Sequence, residues 1–269
     1  MTIMLRMTGT LGQRRILHPQ TLDYIARLQA VGGHDPAFDS ANDYLIRELV
    51  ALGGPYWDTM GTMTTLCGKL FAGLLVPLRD GMDVGTNVDN NFVSGDYNAK
   101  TGLVGDGSSK YIDSNRNNNA DGQNNISMGV YISAVGATAI TEAFIGSRHP
   151  TNASPLTQML SLSGGDKIAR LNSGTTGTFT SSRMPGYFGS SRNNSSNMLA
   201  RFSGANNELT SASSEPYDNN QWVFARNHIG SAAFSNCRLS LYHIGPALNL
   251  ATLDGILTEY MARIAEVTL

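Results

Sequence analysis

The chain has 269 residues, 41% of them hydrophobic, enough for one large domain or two modest ones with a sizeable core. Charged residues reach only 15% and the formal net charge is −2, against about 25% charged residues in an average soluble protein. No basic excess is present to release counterions from nucleic acid or to draw the chain to anionic lipid, so neither is an expected partner. The 29 glycines, with many Asn, Ser and Thr, suit turns and exposed strands better than long surface helices.

Residues 1–18 show no period and read as an extended arm that a partner surface would order. Arg6, Arg14 and Arg15 interrupt its short apolar patch and no cleavage site follows, so it does not read as a signal peptide. Leu22, Ile25 and Leu28 predict a helix that starts at Pro19 to Thr21 and stops at Gly32-Gly33. Phe38, Ala41, Leu45, Leu49 and Leu52 predict a second, starting after Asp35-Pro36 or at Asp39 and ending at Gly53-Gly54. A third is expected over 56–76, carrying Trp57, Met60, Met63, Leu66, Leu70 and Leu74 and stopped by Pro77. Together, 19–79 read as a helical attachment region. Its most apolar window, 66–78, holds Lys69 and is too short for the ~30 Å core of a bilayer, so no membrane insertion is expected.

Gly, Asp, Asn and Thr over 80–89 mark a linker and the domain boundary. Beyond it, short runs at 91–93, 103–104, 110–112, 126–133, 143–147, 158–163, 167–171, 186–189, 198–202, 221–226 and 238–244 are separated by turn residues. Parallel sheets would need helical crossovers, and none is visible, so 90–269 reads as a mainly β, antiparallel β-sandwich of jelly-roll type. Leu250, Leu253, Leu257, Tyr260, Ile264 and Val267 close it with a helix whose stripe, widened by Ile256 and Met261, favours packing on its own domain.

Three runs lead from apolar residues through Gly or Ala to an arginine: 144–148 to Arg148, 187–192 to Arg192 and 223–226 to Arg226. They could form a row of guanidinium groups that recognises carboxylate or sugar. Alternatively, the small residue admits a neighbouring chain and each Arg is paired or snorkels at the rim. Trp222, Tyr187, Tyr217 and Tyr97 are candidates for stacking on sugar faces.

Catalytic signatures are lacking. Glu142, Glu208 and Glu215 are too dispersed to supply the facing carboxylates of a glycosidase. His18, His34, His149, His228 and His243 have no second zinc ligand at short spacing. Cys67 and Cys237 read as buried thiols. Asp113, Asn115, Asn117, Asn119 and Asp121 alternate oxygen-bearing side chains, which permits a calcium loop, but an EF-hand would need Gly at 118 and Glu at 124. A solvated connector is the simpler reading, and no cofactor is expected. Asn125 and Asn152 open sequons that matter only in a glycosylating host.

Residues 102–113, Gly-Leu-Val-Gly-Asp-Gly-Ser-Ser-Lys-Tyr-Ile-Asp, resemble the opening strand pair of concanavalin A-like, laminin-G-like jelly rolls. Residues 126–133 fit the next inner strand, and Arg238-Leu239-Ser240-Leu241-Tyr242 with Ala247-Leu248-Asn249 is similar to the last strand and the turn to a closing helix. The likeness covers about 90–250. Joined to a helical front half and Asn90-Asn91-Phe92-Val93-Ser94-Gly95-Asp96-Tyr97, it resembles modules of bacteriophage virion structural proteins. That resemblance implies a non-enzymatic, homo-oligomeric virion component, a tail fibre part or capsid decoration protein, with a trimer favoured. The arm and helical region would meet other virion proteins, and the sandwich would face outward, with host glycan contact open to it. The alternatives are a lectin-like carbohydrate-binding module and, least favoured, a polysaccharide-degrading enzyme.

Overall fold

His18 accepts the Gln20 N–H on its ring nitrogen and Pro19 follows it, so α1 begins there and runs Pro19–Ala30. Helix α2 (Asp39–Leu52) ends where Gly53 turns to φ +57°. Asn249 caps the amides of Ala251 and Thr252 to start α3 (Leu250–Glu266). The computed structural model describes residues 16–79, 87–149, 156–180, 182–228 and 232–269. Most of the expected arm, most of the linker and the Asn152 sequon lie outside them.

The described residues build two antiparallel sheets, one of eight strands and one of seven, stacked as a sandwich. In chain order the strands are β1 (Thr62–Thr65), β2 (Val88–Asn90), β3 (Tyr97–Asn98), β4 (Gly102–Val104), β5 (Tyr111–Asn117), β6 (Ile126–Ala134), β7 (Glu142–Arg148) and β8 (Leu156–Ser161). There follow β9 (Lys167–Ser173), β10 (Gly177–Phe179), β11 (Gly186–Arg192), β12 (Asn197–Phe202), β13 (Ala205–Thr210), β14 (Asn220–Val223) and β15 (Arg238–Gly245). The first sheet has the order β13-β12-β11-β6-β15-β4-β3, with β1 also on β15; the second has the order β10-β9-β8-β7-β14-β5-β2.

Ile126, Met128, Val130, Phe188 and Leu239 of the first sheet meet Ile112, Ile145, Met159, Leu171 and Val223 of the second in the inter-sheet core. A second core lies on the other side of the first sheet. There Tyr187 and Leu241 pack with Tyr24 and Leu28 of α1, Leu45 and Leu49 of α2, and Leu253, Leu257 and Tyr260 of α3. The layers are therefore helices, first sheet, second sheet. The C-terminal helix packs on its own chain, as its stripe predicts.

The third helix expected over 56–76 does not form. β1 occupies part of that window, pairing Thr62–Thr65 with Ile244–Leu241, and the 3-10 turn Phe71–Gly73 another part. The apolar spacing suits a helix, but β-branched Thr62, Thr64 and Thr65 favour a strand, and Gly61 and Gly68 each cost a helix about 1 kcal/mol relative to alanine. Gly68 also takes φ +70°, where a Cβ would lie 2.7 Å from the Tyr260 hydroxyl. The front segment thus lends a strand to the sandwich.

Candidate functional site

The outer face of the second sheet can be derived from parity. Ile112, Val223, Ile145, Met159 and Ala169 point into the core, so their neighbours Asp113, Trp222, Gly146, Gln158 and Arg170 point away from it. Their registers are direct: Asp113 opposite Trp222, Trp222 opposite Gly146, Gly146 opposite Gln158 and Gln158 opposite Arg170. These five residues form one row across β5, β14, β7, β8 and β9, and four inter-strand steps of about 4.8 Å give it a span of about 19 Å. Among the described residues, no helix lies over this face.

At one end Trp222 is held in place. Its ring stacks on Tyr111 with centroids 3.9 Å apart, and its indole N–H donates to Asp113 Oδ2 at 3.2 Å. Asp113 also accepts the Asn115 amide at 2.8 Å. Half-buried Asn115, Asn117 and Asn220 fringe the aromatic pair with amide donors and acceptors. Gly146, next along the row, brings no side chain between Trp222 and Gln158. A Cβ there would meet the Thr157 carbonyl oxygen at 2.6 Å, so the position is closed to larger residues.

The other end is cationic. Arg170 stands in the row, Arg148 lies two residues beyond Gly146 on β7, and Arg226 reaches in from the loop after β14, donating from Nη1 to Gln158 Oε1 at 2.9 Å. Burial, then the charge of Arg148, lowers the pKa of Arg170; burial, then Arg148 and Arg170, lowers that of Arg226. The three guanidinium groups therefore feel one another. The Tyr217 ring centroid lies 4.0 Å from that of His149, the residue after Arg148.

Of the candidates named from sequence, Trp222, Arg148 and Arg226 share this face, and Tyr217 packs on His149, the residue after Arg148. Arg192 does not: it is fully buried, donating to the carbonyls of Leu171 (2.9 Å), Asn194 (3.2 Å) and Asn197 (3.3 Å) and to Ser211 Oγ (3.1 Å). Tyr187 is buried under the helices, its hydroxyl 2.8 Å from His243 Nε2, so it cannot stack on a ligand. Tyr97 packs against Phe71 and donates to the Lys69 carbonyl, at the opposite side of the sandwich. Arg170, Gln158 and Tyr111 also belong to the face and lie outside the set that the sequence suggests. The polar-out alternation of residues 167–171 is the signal that marks Arg170.

The alternating oxygen-bearing run starts on β5, where Asn220 Nδ2 lies 3.5 Å from Asp113 Oδ2 and 3.4 Å from Asn115 Oδ1, while Asp121 is held by Arg116 at 2.7 Å in a buried ion pair. Among the described residues, no group of three His, Cys, Asp or Glu is placed to hold a metal ion. Glu142 is fully buried and accepts from Ser235 Oγ (2.7 Å) and the Asn236 amide (3.0 Å).

No protein-family model matches the sequence, and no curated protein matches it. Among solved structures, the chain is similar to the binding domain of botulinum neurotoxin serotype D, with 11% identity and a TM-score of 0.48 over 76% of this chain and 52% of that one. It is similar to domain 4 of AbnA, a GH43 extracellular arabinanase from Geobacillus stearothermophilus, in complex with arabinotriose, with 12% identity and a TM-score of 0.43 over 74% of this chain and 98% of that one. It is also similar to the enzymatically active domain of bacteriophage CBA120 tailspike protein 2, with 14% identity and a TM-score of 0.43 over 66% of this chain and 31% of that one. The chain thus spans about half of the toxin domain and about a third of the tailspike chain.

Proposed function

We propose that the chain is a non-enzymatic glycan-contacting module of a virion, in the lineage of the concanavalin A-like jelly rolls it resembles, with the outer face of the second sheet as its contact surface. The observation that carries the glycan reading is Trp222, fixed by Tyr111 and Asp113 toward one end of a helix-free sheet face and fringed by amides. An indole held in one orientation presents apolar area at little entropic cost, and amides bond hydroxyls in either direction. The helices occupy the far side of the first sheet. Attachment to a particle through them, as subunits of a homo-oligomer, leaves the row pointing outward.

A glycan array probed with the full chain and with Trp222→Ala tests this. Host-surface saccharides should bind the wild type and bind the variant at least about tenfold more weakly, with circular dichroism confirming that the variant is folded. An array silent at millimolar protein, or equal binding by both proteins, refutes it.

A further inference from the structure

We propose that the arginine end of this face receives an oxyanion, a carboxylate or sulfate ester carried on the saccharide, so that the ligand is an acidic glycan; the saccharide part of this inference rests on the reading above. The evidence is a contrast with those cations that the protein pairs with carboxylates. Arg116 is paired with Asp121 at 2.7 Å, Arg201 with Asp254 at 2.7 Å, Arg47 with Asp43 at 2.7 Å, Lys110 with Asp96 at 2.6 Å and Arg183 with Glu142 at 3.4 Å. Arg148 and Arg170, both half-buried, form no ion pair with any described carboxylate, and the Nε atom of each is shielded from solvent without a hydrogen-bond acceptor. Arg226 adds a third cation, its Nη1 donating to Gln158 Oε1 at 2.9 Å.

Holding like charges together in a half-buried place is unfavourable, and so is leaving buried donors unmet. One oxyanion between them would relieve both, because a planar guanidinium presents paired N–H donors that match two oxygens of a carboxylate or sulfate. The arginines come from β7, β9 and the loop after β14, so the site is set by the sheet rather than by one flexible segment. Asp113 ends the same row about 19 Å from Arg170, at about 4.8 Å per strand. That negative end confines the favourable patch to one or two anionic groups and opposes a long polyanion.

Calorimetric titration of the full chain with an oligogalacturonate, its uncharged galactose counterpart and a sulfated form of the latter tests the proposal. A charged sugar should bind at least about tenfold more tightly than the neutral one. In Arg148→Gln/Arg170→Gln that ratio should fall toward one, with circular dichroism confirming the fold. Equal affinities in the wild type, or a charge preference kept by the folded double variant, overturn the proposal. If no sugar binds, or the variant does not fold, the wild-type arginine Nε–H resonances in inorganic sulfate decide. Shifts at Arg148 and Arg170 support the anion site even where the glycan reading has failed, and unmoved resonances overturn it.

Discussion

Removing the buried guanidinium of Arg192 separates a structural arginine from the ligand-facing ones. Its four hydrogen bonds tie β11 to Leu171 on β9, to Ser211 and to the turn at Asn194 and Asn197. In Arg192→Ala, water can reach the exposed turn carbonyls, but Leu171 O and Ser211 Oγ lie in buried residues, and each stranded acceptor costs about 1–3 kcal/mol. Two lost methylenes, Cγ and Cδ, add about 1.6 kcal/mol at about 0.8 each. Relief of the guanidinium desolvation offsets several kcal/mol of this, leaving a net loss of about 3 kcal/mol. Arg192→Met keeps most of the stem and should lose about 1 kcal/mol, since only the polar part of the balance remains. Urea unfolding at neutral pH, with the slope checked for constancy, measures both. Saccharide binding per folded molecule should be unchanged in the methionine variant. A stability of Arg192→Ala within about 0.5 kcal/mol of the wild type, the range of ordinary surface changes, would refute this account, as would lost binding by folded Arg192→Met.

Burial pushes the pKa of His243 down to about 3 from an ordinary value of about 6.5. The folded value is the lower one, so the stability from a neutral His243 is fully present above pH 6.5 and is lost as pH falls toward 3; at pH 5 the loss is about 2 kcal/mol. Denaturant unfolding at pH 7 and pH 5 should show this extra drop in the wild type and not in His243→Gln, and equal drops would sink it. Lys69 is fully buried, donates to the Val76 carbonyl at 3.1 Å and lies 5.7 Å from the Tyr24 ring centroid. Burial lowers its pKa from 10.5 to about 7, so its folded form gains stability as pH rises from 7 to 10.5 and bears a standing cost at neutral pH. Lys69→Met should therefore be about 2 kcal/mol more stable at pH 7, after the lost hydrogen bond, with a flatter stability profile between pH 7 and 10. A less stable variant with the wild-type slope would refute this.

The sandwich and its two flanking helical elements were legible because their residues obey simple periods. β6, β9, β12 and β15 fall within a residue or two of the expected runs. β13, the edge strand Ala205–Thr210, is almost wholly exposed, so no apolar alternation announces it. β1 is masked in the sequence because a four-residue strand inside an apolar window leaves two turns' worth of helical spacing intact. At the site, Trp222 and two arginines were identifiable by residue type, while Arg170 was hidden in the middle of a strand and Gln158 is an ordinary amide until its neighbours are known.

The opposite fates of Arg148 and Arg192 show why the pattern alone could not place them. In each run an aromatic core residue precedes the arginine by four positions, Phe144 before Arg148 and Phe188 before Arg192. On an uninterrupted strand, residues four apart share a face, so both arginines should point inward. β11 pairs with β6 without a break, and Arg192 does point inward, where it must satisfy its donors on carbonyls. β7 pairs with β8 through a register shift between Ala143 and Ile145. Phe144 and Ile145 both enter the core, and every later residue of the strand is displaced by one face. That shift turns Gly146 and Arg148 outward, opposite Trp222 on one side and in line with Gln158 and Arg170 on the other. The cationic end of the face thus depends on one irregularity in β7, which leaves no mark on hydrophobic periodicity beyond two adjacent apolar residues.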